Sequence, residues 1–382
     1  MLGILSLHNF HQNELYQAMR VTSSLKIGVI HPSFEMFGGA ETTTVHLLNM
    51  LKQTNHHTTL YTVKPPELQE SKNFSIHKIE TSNFPLFWKY QRMMEIQKIF
   101  QESQMEDVLV ISSGGLTLEN TPVKKIILYC HSTFEGEYKF IHKRITGFLG
   151  MYHKIIQRNL GRSLEFMQNS KVILVANSNY TKKIIQELFH KNSRVIYPPV
   201  DLRKYSKWFN IQKKNTVITL SRFSPEKNLD FAIDVAKSSN LFHELIGNAK
   251  FGSQIKSYNE LSNKVLNSKK ISLRSNISSD IIEQSLGSSK VYFHPSKETF
   301  GISVVESIAA GCVPIVPDNS AFAETVPFDI LRFKEKEDAI DKLKDAIDGK
   351  YDHLIPALRD HIEKFSIENF QNSILREIES VN

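Results

Sequence analysis

Cysteine is almost absent from this chain of 382 residues, which has only Cys130 and Cys312. One possible pair cannot make a disulfide framework, and no CxxC or Cys/His cluster is spaced for zinc. Such usage points to a reducing, cytoplasmic compartment. No run of about 18 uninterrupted apolar residues occurs, so a transmembrane helix is excluded as the reading. Residues 1–24 lack the basic start, apolar middle and small-residue cleavage site of a signal peptide. They read as an N-terminal extension, with Met19 as an alternative start just before the first strand. A GxGxxG fingerprint and a GxxxxGK[ST] loop are both missing, which argues against classical NAD binding and a P-loop NTPase. No D-x-D motif stands in a loop after a strand, so neither a metal nor any other cofactor is expected.

The chain is otherwise ordinary for a globular protein, 41% hydrophobic and 23% charged. Its length suggests about two domains of roughly 150 residues. Lys and Arg number 47 against 40 Asp and Glu, a formal charge of +7. A mild positive excess favours anionic partners: nucleotides, phosphates, nucleic acid or an acidic membrane surface. No recognised nucleic-acid motif accompanies it, so no nucleic-acid partner is expected.

Two stretches open alike. Lys26–His31 is a short apolar strand, followed by Gly38-Gly39 and a helical pattern from Ala40 to Leu51. Thr216–Leu220 is a β-branched strand, followed by a loop ending in Pro225-Glu226-Lys227 and a helical pattern from Leu229 to Lys237. Further short apolar strands are expected at 58–63, 108–111, 125–130 and 172–176, then at 242–246, 270–273, 291–294 and 313–316. Strands alternating with helices predict two doubly wound α/β domains with parallel sheets. The expected layout is an N-terminal domain at 25–199, a polar, basic linker at 200–215, a second domain at 216–354 and a helical segment at 355–382.

Three motifs carry chemistry. The first is Lys297–Glu306 (KETFGISVVE), placed after a strand. Gly301 near the following helix start permits close backbone approach, and the helix N-terminus attracts an anion. Glu306 can accept from a ribose diol, and Glu298 is placed to meet a sugar hydroxyl. The second is Arg222 with Lys227 in the loop after the first strand of the second half, where a fork and a point charge suit a pyrophosphate. The third is Gly38-Gly39-Ala40-Glu41, whose glycines let backbone N–H groups reach a phosphate. Taken alone, the second reads first as a solvated basic loop and the third as a simple turn.

Together these segments resemble the GT-B retaining glycosyltransferases of family 4, over roughly residues 25 to 380. The segments that carry the resemblance are HPSFEMFGGAETTTVHLL, ANSNYTKKII, VIYPPVDLRKY, LSRFSPEKNLDFAIDVAK and HPSKETFGISVVESIAAGCVPIV. The resemblance implies a second domain that binds a nucleoside diphosphate sugar and a first domain that binds the acceptor. The reaction would occur in the cleft between them, and the last helix would return to the first domain. Arg222 and Lys227 would neutralise the diphosphate, Glu306 hold the ribose and Glu298 the sugar. The backbone of Phe300, Gly301 and Ile302 would meet sugar and phosphate oxygens. Gly38 and Gly39 would approach the diphosphate from the opposite domain. His131, in ILYCHSTF, matches the active-site histidine, there to orient the donor sugar or acceptor. Cys130 alternates to the other strand face, which disfavours a Cys/His nucleophilic pair. The family's glycine-rich turn after the second strand is represented here by Gly247 alone, and the segment 273–278 lacks glycine. GDP and UDP therefore both remain open as the donor base.

The implied reaction is hexose transfer with retention, with the leaving diphosphate taking the acceptor proton. A double displacement through Glu298 is the secondary route. The best-matching donor is GDP-mannose and the acceptor a lipid-linked glycan or glycolipid on the inner membrane face. Tyr138–Met167 interleaves Lys139, Lys143, Arg144, Lys154, Arg158 and Arg162 with apolar residues, which allows peripheral membrane association or a packed helix with a basic face. Phe84–Phe100 is a second such stretch. Rival readings are a UDP-glucose or UDP-GlcNAc enzyme with a soluble acceptor, a sugar-nucleotide 2-epimerase and a non-catalytic subunit of a glycosylation complex.

Overall fold

The computed structural model describes residues 24–35, 38–80, 98–99, 101–103, 105–112, 122–143 and 150–380. The extension at 1–24, apart from Ser24, and most of Phe84–Phe100 lie outside the described residues. Seven strands form the first sheet: β1 Lys26–Ile30, β2 His57–Thr62, β3 Phe74–Lys78, β4 Val108–Ile111, β5 Lys125–Cys130, β6 Val172–Ala176 and β7 Ser193–Val195. Six form the second: β8 Lys214–Leu220, β9 Phe242–Gly247, β10 Ile271–Ser275, β11 Ser289–Phe293, β12 Val313–Pro317 and β13 Arg332–Phe333. Every pairing is parallel. The fold is the expected pair of doubly wound α/β units.

The central strands are buried on both faces, as parallel strands between helical layers must be. β4 (VLVI), β5 (KIILYC) and β12 (VPIVP) are buried at every position. Three strands were not expected from sequence: β3, β7 and β13. All lie at sheet edges; β3 is half-exposed and polar, and the other two span only three and two residues. An edge strand needs no second apolar face, so it leaves no continuous apolar run.

Strand order fixes where a ligand can sit. The first sheet runs β3-β2-β1-β4-β5-β6-β7 and the second β10-β9-β8-β11-β12-β13. In each, the order reverses beside the first strand, between β1 and β4 and between β8 and β11. Connections leave such a point in opposite directions and open a crevice at the carboxyl ends. The loops after β1, β8 and β11 carry the three motifs.

Six helices matter below: α1 Gly39–Leu51, α2 Gly150–Met167, α3 Asn179–Phe189, α4 Leu229–Ser239, α5 Ile302–Ala309 and α6 Ile367–Glu379. α6 buries Phe370, Ile374, Leu375 and Ile378 in the same core as Leu47 of α1 and Val110 of β4. Its buried Glu377 meets Arg194 and Lys125 of the first sheet. The chain therefore crosses back to the first domain between Phe365, which still packs in the second domain's core, and Phe370. The segment 200–215 is not featureless: Asp201 accepts from the Lys204 N–H at 3.1 Å and caps a short helix, Leu202–Ser206, and β8 already starts at Lys214.

The basic stretch 138–167 is described in part, and Arg144, Ile145, Phe148 and Leu149 lie outside the described residues. Its apolar side largely packs inward: Tyr138 meets Phe189 at 6.0 Å between ring centroids, and Ile156 is buried. Lys154, Arg158 and Arg162 recur every fourth residue on α2 and are exposed, beside exposed Met151 and Ile155. Among the described residues, no helix is long and apolar enough to cross a membrane.

Candidate active site between the two sheets

The loop after β11 is built around Gly301. Its φ of +90° is a left-handed conformation that glycine adopts without strain, and a Cβ there would lie 2.4 Å from the Phe322 ring. The loop thus turns into α5, where the Val304 and Val305 N–H groups donate to the Gly301 carbonyl and those of Ile302 and Ser303 have no acceptor within the helix. Phe300 is buried beneath it, 5.1 Å from the ring of Phe365. Ile302 opens the helix.

Glu298 is the hub of the second domain's site. Its Oε1 lies 2.5 Å from Lys227 Nζ and 3.1 Å from His294 Nε2. His294 is 3% exposed, and its Nδ1 lies 3.1 Å from the Tyr292 hydroxyl, which lies 2.8 Å from Ser303 Oγ of α5. Burial alone would raise the Glu298 carboxyl, but the hydrogen bond and charge of His294 and the Lys227 ammonium outweigh it and hold it at about 2. The carboxylate is therefore ionised and fixed in place. His294 and Tyr292 escaped the sequence reading; the i,i+4 spacing of His294 and Glu298 was the available signal.

Glu306 has the opposite environment. Burial pushes its carboxyl up to about 7, against the Tyr205 hydroxyl bond and the Lys204 charge, while Asp201 adds to the rise. Tyr205 is buried on the short helix at 202–206. The inter-domain segment thus contributes directly to the Glu306 site. Arg222 stands somewhat apart: its guanidinium is 40% exposed and lies 3.8 Å from Glu226. Gly247 has a packing reason for being glycine, since a Cβ there would fall 1.7 Å from the Ser221 carbonyl oxygen.

The first domain supplies the facing wall. A Cβ on Gly39 would lie 3.2 Å from Ile302 Cδ1, so the glycine motif touches the start of α5 across the cleft. The Gly38 N–H donates to Glu41 Oε2 at 2.9 Å. Glu41 Oε1 lies 3.4 Å from His31 Nε2, and His31 Nδ1 lies 2.9 Å from the Ser112 carbonyl. Thr44 Oγ1 lies 2.6 Å from Ser112 Oγ, which lies 2.8 Å from His131 Nε2. A polar chain therefore runs from the glycine motif to His131, and His31, Thr44 and Ser112 were not anticipated. Burial, followed by the nearby His31, pushes the His131 imidazole down to about 3, although Glu41 opposes this. A neutral imidazole orients a bound group; it does not offer a cation. The His131 carbonyl accepts from Thr299 Oγ1 at 3.0 Å, which brings it beside the Glu298 loop. Cys130 is fully buried in the core on the other face.

Two parallel-sheet domains facing a cleft, with a cation, a carboxylate and helix starts gathered at its rim, define a GT-B glycosyltransferase. The chain matches the model "Glycosyl transferases group 1" over residues 201–354 and "Glycosyltransferase Family 4" over 37–204. The chain belongs to this glycosyltransferase family. It is 26% identical over 241 residues to the GDP-Man:Man(3)GlcNAc(2)-PP-Dol alpha-1,2-mannosyltransferase of Dictyostelium discoideum, covering 55% of this chain and 47% of that protein. The chain thus spans about half the length of that relative. It is 22% identical over 369 residues to an alpha-1,3/1,6-mannosyltransferase of the same organism, covering 79% and 84%. Among solved structures, WaaG, a glycosyltransferase involved in lipopolysaccharide biosynthesis, superposes with a TM-score of 0.70 at 15% identity, covering 93% of this chain and 100% of that one. Anabaena HepE in complex with UDP and glucose gives 0.67 at 14% identity, covering 94% and 100%. At these identities the structural likeness speaks for the fold.

Proposed function

We propose that the protein transfers a hexose, with mannose from GDP-mannose as first choice, to a hydroxyl of a lipid-linked glycan or glycolipid, with retention at the anomeric carbon. The observation that carries this reading is the Lys227–Glu298–His294 cluster, facing the Gly39 motif and His131 across the cleft. The mannosyltransferase names of the two Dictyostelium relatives favour the donor, and the PP-Dol in one of them favours the acceptor class.

In this reading the bond from the anomeric carbon to the diphosphate oxygen breaks. The acceptor oxygen bonds to that carbon, and its proton passes to the leaving diphosphate. Negative charge grows on the diphosphate, and in this reading Lys227, Arg222 and the N–H groups at the start of α5 stabilise it. No metal is assigned a part. Glu298, ionised and held by His294, fixes the sugar hydroxyls, and Glu306 takes the ribose diol. A diphosphate competes with Glu298 for Lys227, so donor binding reorganises that pair. Front-face transfer is favoured over a nucleophilic Glu298, whose Oε1 is already engaged by two partners.

The acceptor's membrane supplies a use for the exposed Lys154–Arg158–Arg162 face: attraction to anionic lipid headgroups of the cytoplasmic leaflet. Replacing all three by alanine should weaken sedimentation with phosphatidylserine vesicles. Equal binding by wild type and the triple variant would remove this face from the proposal. UDP-glucose with a soluble acceptor is the second reading, favoured by the structural neighbour solved with UDP-glucose. A thermal-shift screen of GDP-, UDP- and ADP-sugars discriminates, because ligand at 100 times its Kd stabilises by about 2.7 kcal/mol. Transfer assays with the responding donor follow. Release of free epimerised sugar would instead support the epimerase, and no response to any donor would refute the transferase.

A further inference from the structure

Glu324 belongs to none of the donor motifs, yet it makes a dense set of contacts between the domains. It sits on the single turn Phe322–Thr325, between β12 and β13. Its carboxylate reaches the N-terminus of α3 in the first domain. Oε2 accepts from the Asn179 N–H and the Asn179 side-chain amide, both at 2.8 Å, and Oε1 accepts from the Tyr180 N–H at 2.8 Å. The Tyr197 hydroxyl donates to Oε2 at 3.0 Å. α3 has its own cap, since Ser178 Oγ takes the Thr181 N–H at 3.0 Å. The two N–H groups that this cap leaves over are satisfied by a carboxylate from the other domain, with its negative charge at the positive end of the helix dipole.

The same turn is built into the donor loop. The Ala321 N–H donates to the Glu298 carbonyl at 3.2 Å. The Phe322 ring fills the space against Gly301 and lies 5.2 Å from the His294 ring. His361 Nε2 lies 2.7 Å from the Glu324 carbonyl and anchors the turn from behind. Close by, Asn177 Nδ2 donates to Thr299 Oγ1 at 3.0 Å, in the loop segment that also meets His131. A movement of the Glu298–Gly301 loop therefore moves the turn, and the turn carries the carboxylate that grips α3.

We propose that Glu324 is the positioning residue that closes the cleft: its carboxylate docks on the α3 N-terminus and holds the donor loop in register with His131. It touches no donor atom and acts through the loop. Only the kinetic arm of its test rests on the transferase reading.

Spin labels at Lys183→Cys on α3 and Lys256→Cys in the second domain, both at exposed positions, report the separation of the domains by pulsed EPR. Wild type should give a narrow distribution. Glu324→Ala should broaden it and shift it to longer distance, with Glu324→Gln between the two. Tyr197→Phe, which removes one donor and keeps the carboxylate, should shift it least. Glu187→Ala, at an exposed position of the same helix whose ion pair with Lys183 the label already removes, should leave it unchanged. In transfer assays Glu324→Ala should lose at least about tenfold in kcat, with a smaller change in nucleoside diphosphate affinity, because the phosphate and ribose contacts of the second domain remain. Unchanged distances in Glu324→Ala would overturn the proposal, as would equal losses in kcat and affinity. If Glu324→Ala does not fold, Glu324→Gln and Tyr197→Phe decide by the same distances. If wild type transfers no sugar, the functional reading fails while the distances still judge the latch.

Discussion

Replacing Gly247 by alanine should unseat the loop that carries Arg222. Gly247 ends β9, and the loop leaving β8 passes directly over it. Real Cβ contacts stay above 3.0 Å and the built Cβ falls at 1.7 Å, so the Ser221 carbonyl has to retreat by about 1.3 Å or more. That carbonyl is backbone and cannot rotate away. The loop is tied to β9 by the Ser221 N–H to the Ile246 carbonyl at 3.0 Å and by the Phe223 N–H to the Asn248 carbonyl at 3.1 Å. Losing both costs about 2 kcal/mol. Overpacking the strand end adds about 1–3 kcal/mol, for a total of about 3–5 kcal/mol against a typical domain stability of about 5–15 kcal/mol. Gly252→Ala is the control: it lies five residues on, with no heavy atom within 4 Å of a built Cβ. It should be neutral or slightly stabilising. Urea unfolding followed by Trp208 fluorescence in a Trp88→Phe background reads the second domain alone. Nucleotide titration of the folded variant should show weakened binding, because Arg222 moves with the loop. Stabilities of the two alanine variants within about 1 kcal/mol of each other would refute the reasoning.

Three further outcomes are expected. Lys227→Ala and Glu298→Ala should each lower transfer by about 10²–10³ if charge stabilisation and sugar positioning dominate, and near wild-type rates in either would remove that residue from the site. Glu306 has a folded pKa raised from 4.5 to about 7, so its stability contribution is present below 4.5 and is lost as pH rises through about 7. The melting temperature of Glu306→Gln minus that of wild type should therefore grow between pH 5 and 7 and level off above, whereas a constant difference would contradict the burial of that carboxyl. Transfer in EDTA should stay within about twofold of the untreated rate, since fixed cations fill the role a metal ion would otherwise take; restoration of a lost rate by added Mg²⁺ would refute that assignment.

The interior strands were readable because a parallel strand buried on both faces is a continuous apolar run, as in β4 and β5. The edges β3 and β13 were not, because half-exposed or two-residue strands lack that pattern. The helix starts at Gly39 and Leu229 were legible from the glycine pair and from the Pro225–Lys227 turn. The buried course of Tyr205 was not, since the polar sequence around it hides its one inward side chain.

By itself the sequence determined the two α/β units and the crevice-end position of Arg222, Lys227, Glu298 and Glu306, because these follow from local periodicity and spacing along one stretch of chain, and it carried the family through the resemblance of its motif segments. Tertiary structure alone decided which of these groups meet. Lys227 reaches Glu298 across 71 residues, Ser112 reaches His131 from the neighbouring strand, and Glu324 grips a helix start 145 residues away. Such pairings depend on strand order and on how the two domains close. Burial pushes both carboxyls up, but the His294 and Lys227 that the fold brings to Glu298 hold it far below Glu306, a difference that no spacing in the sequence records.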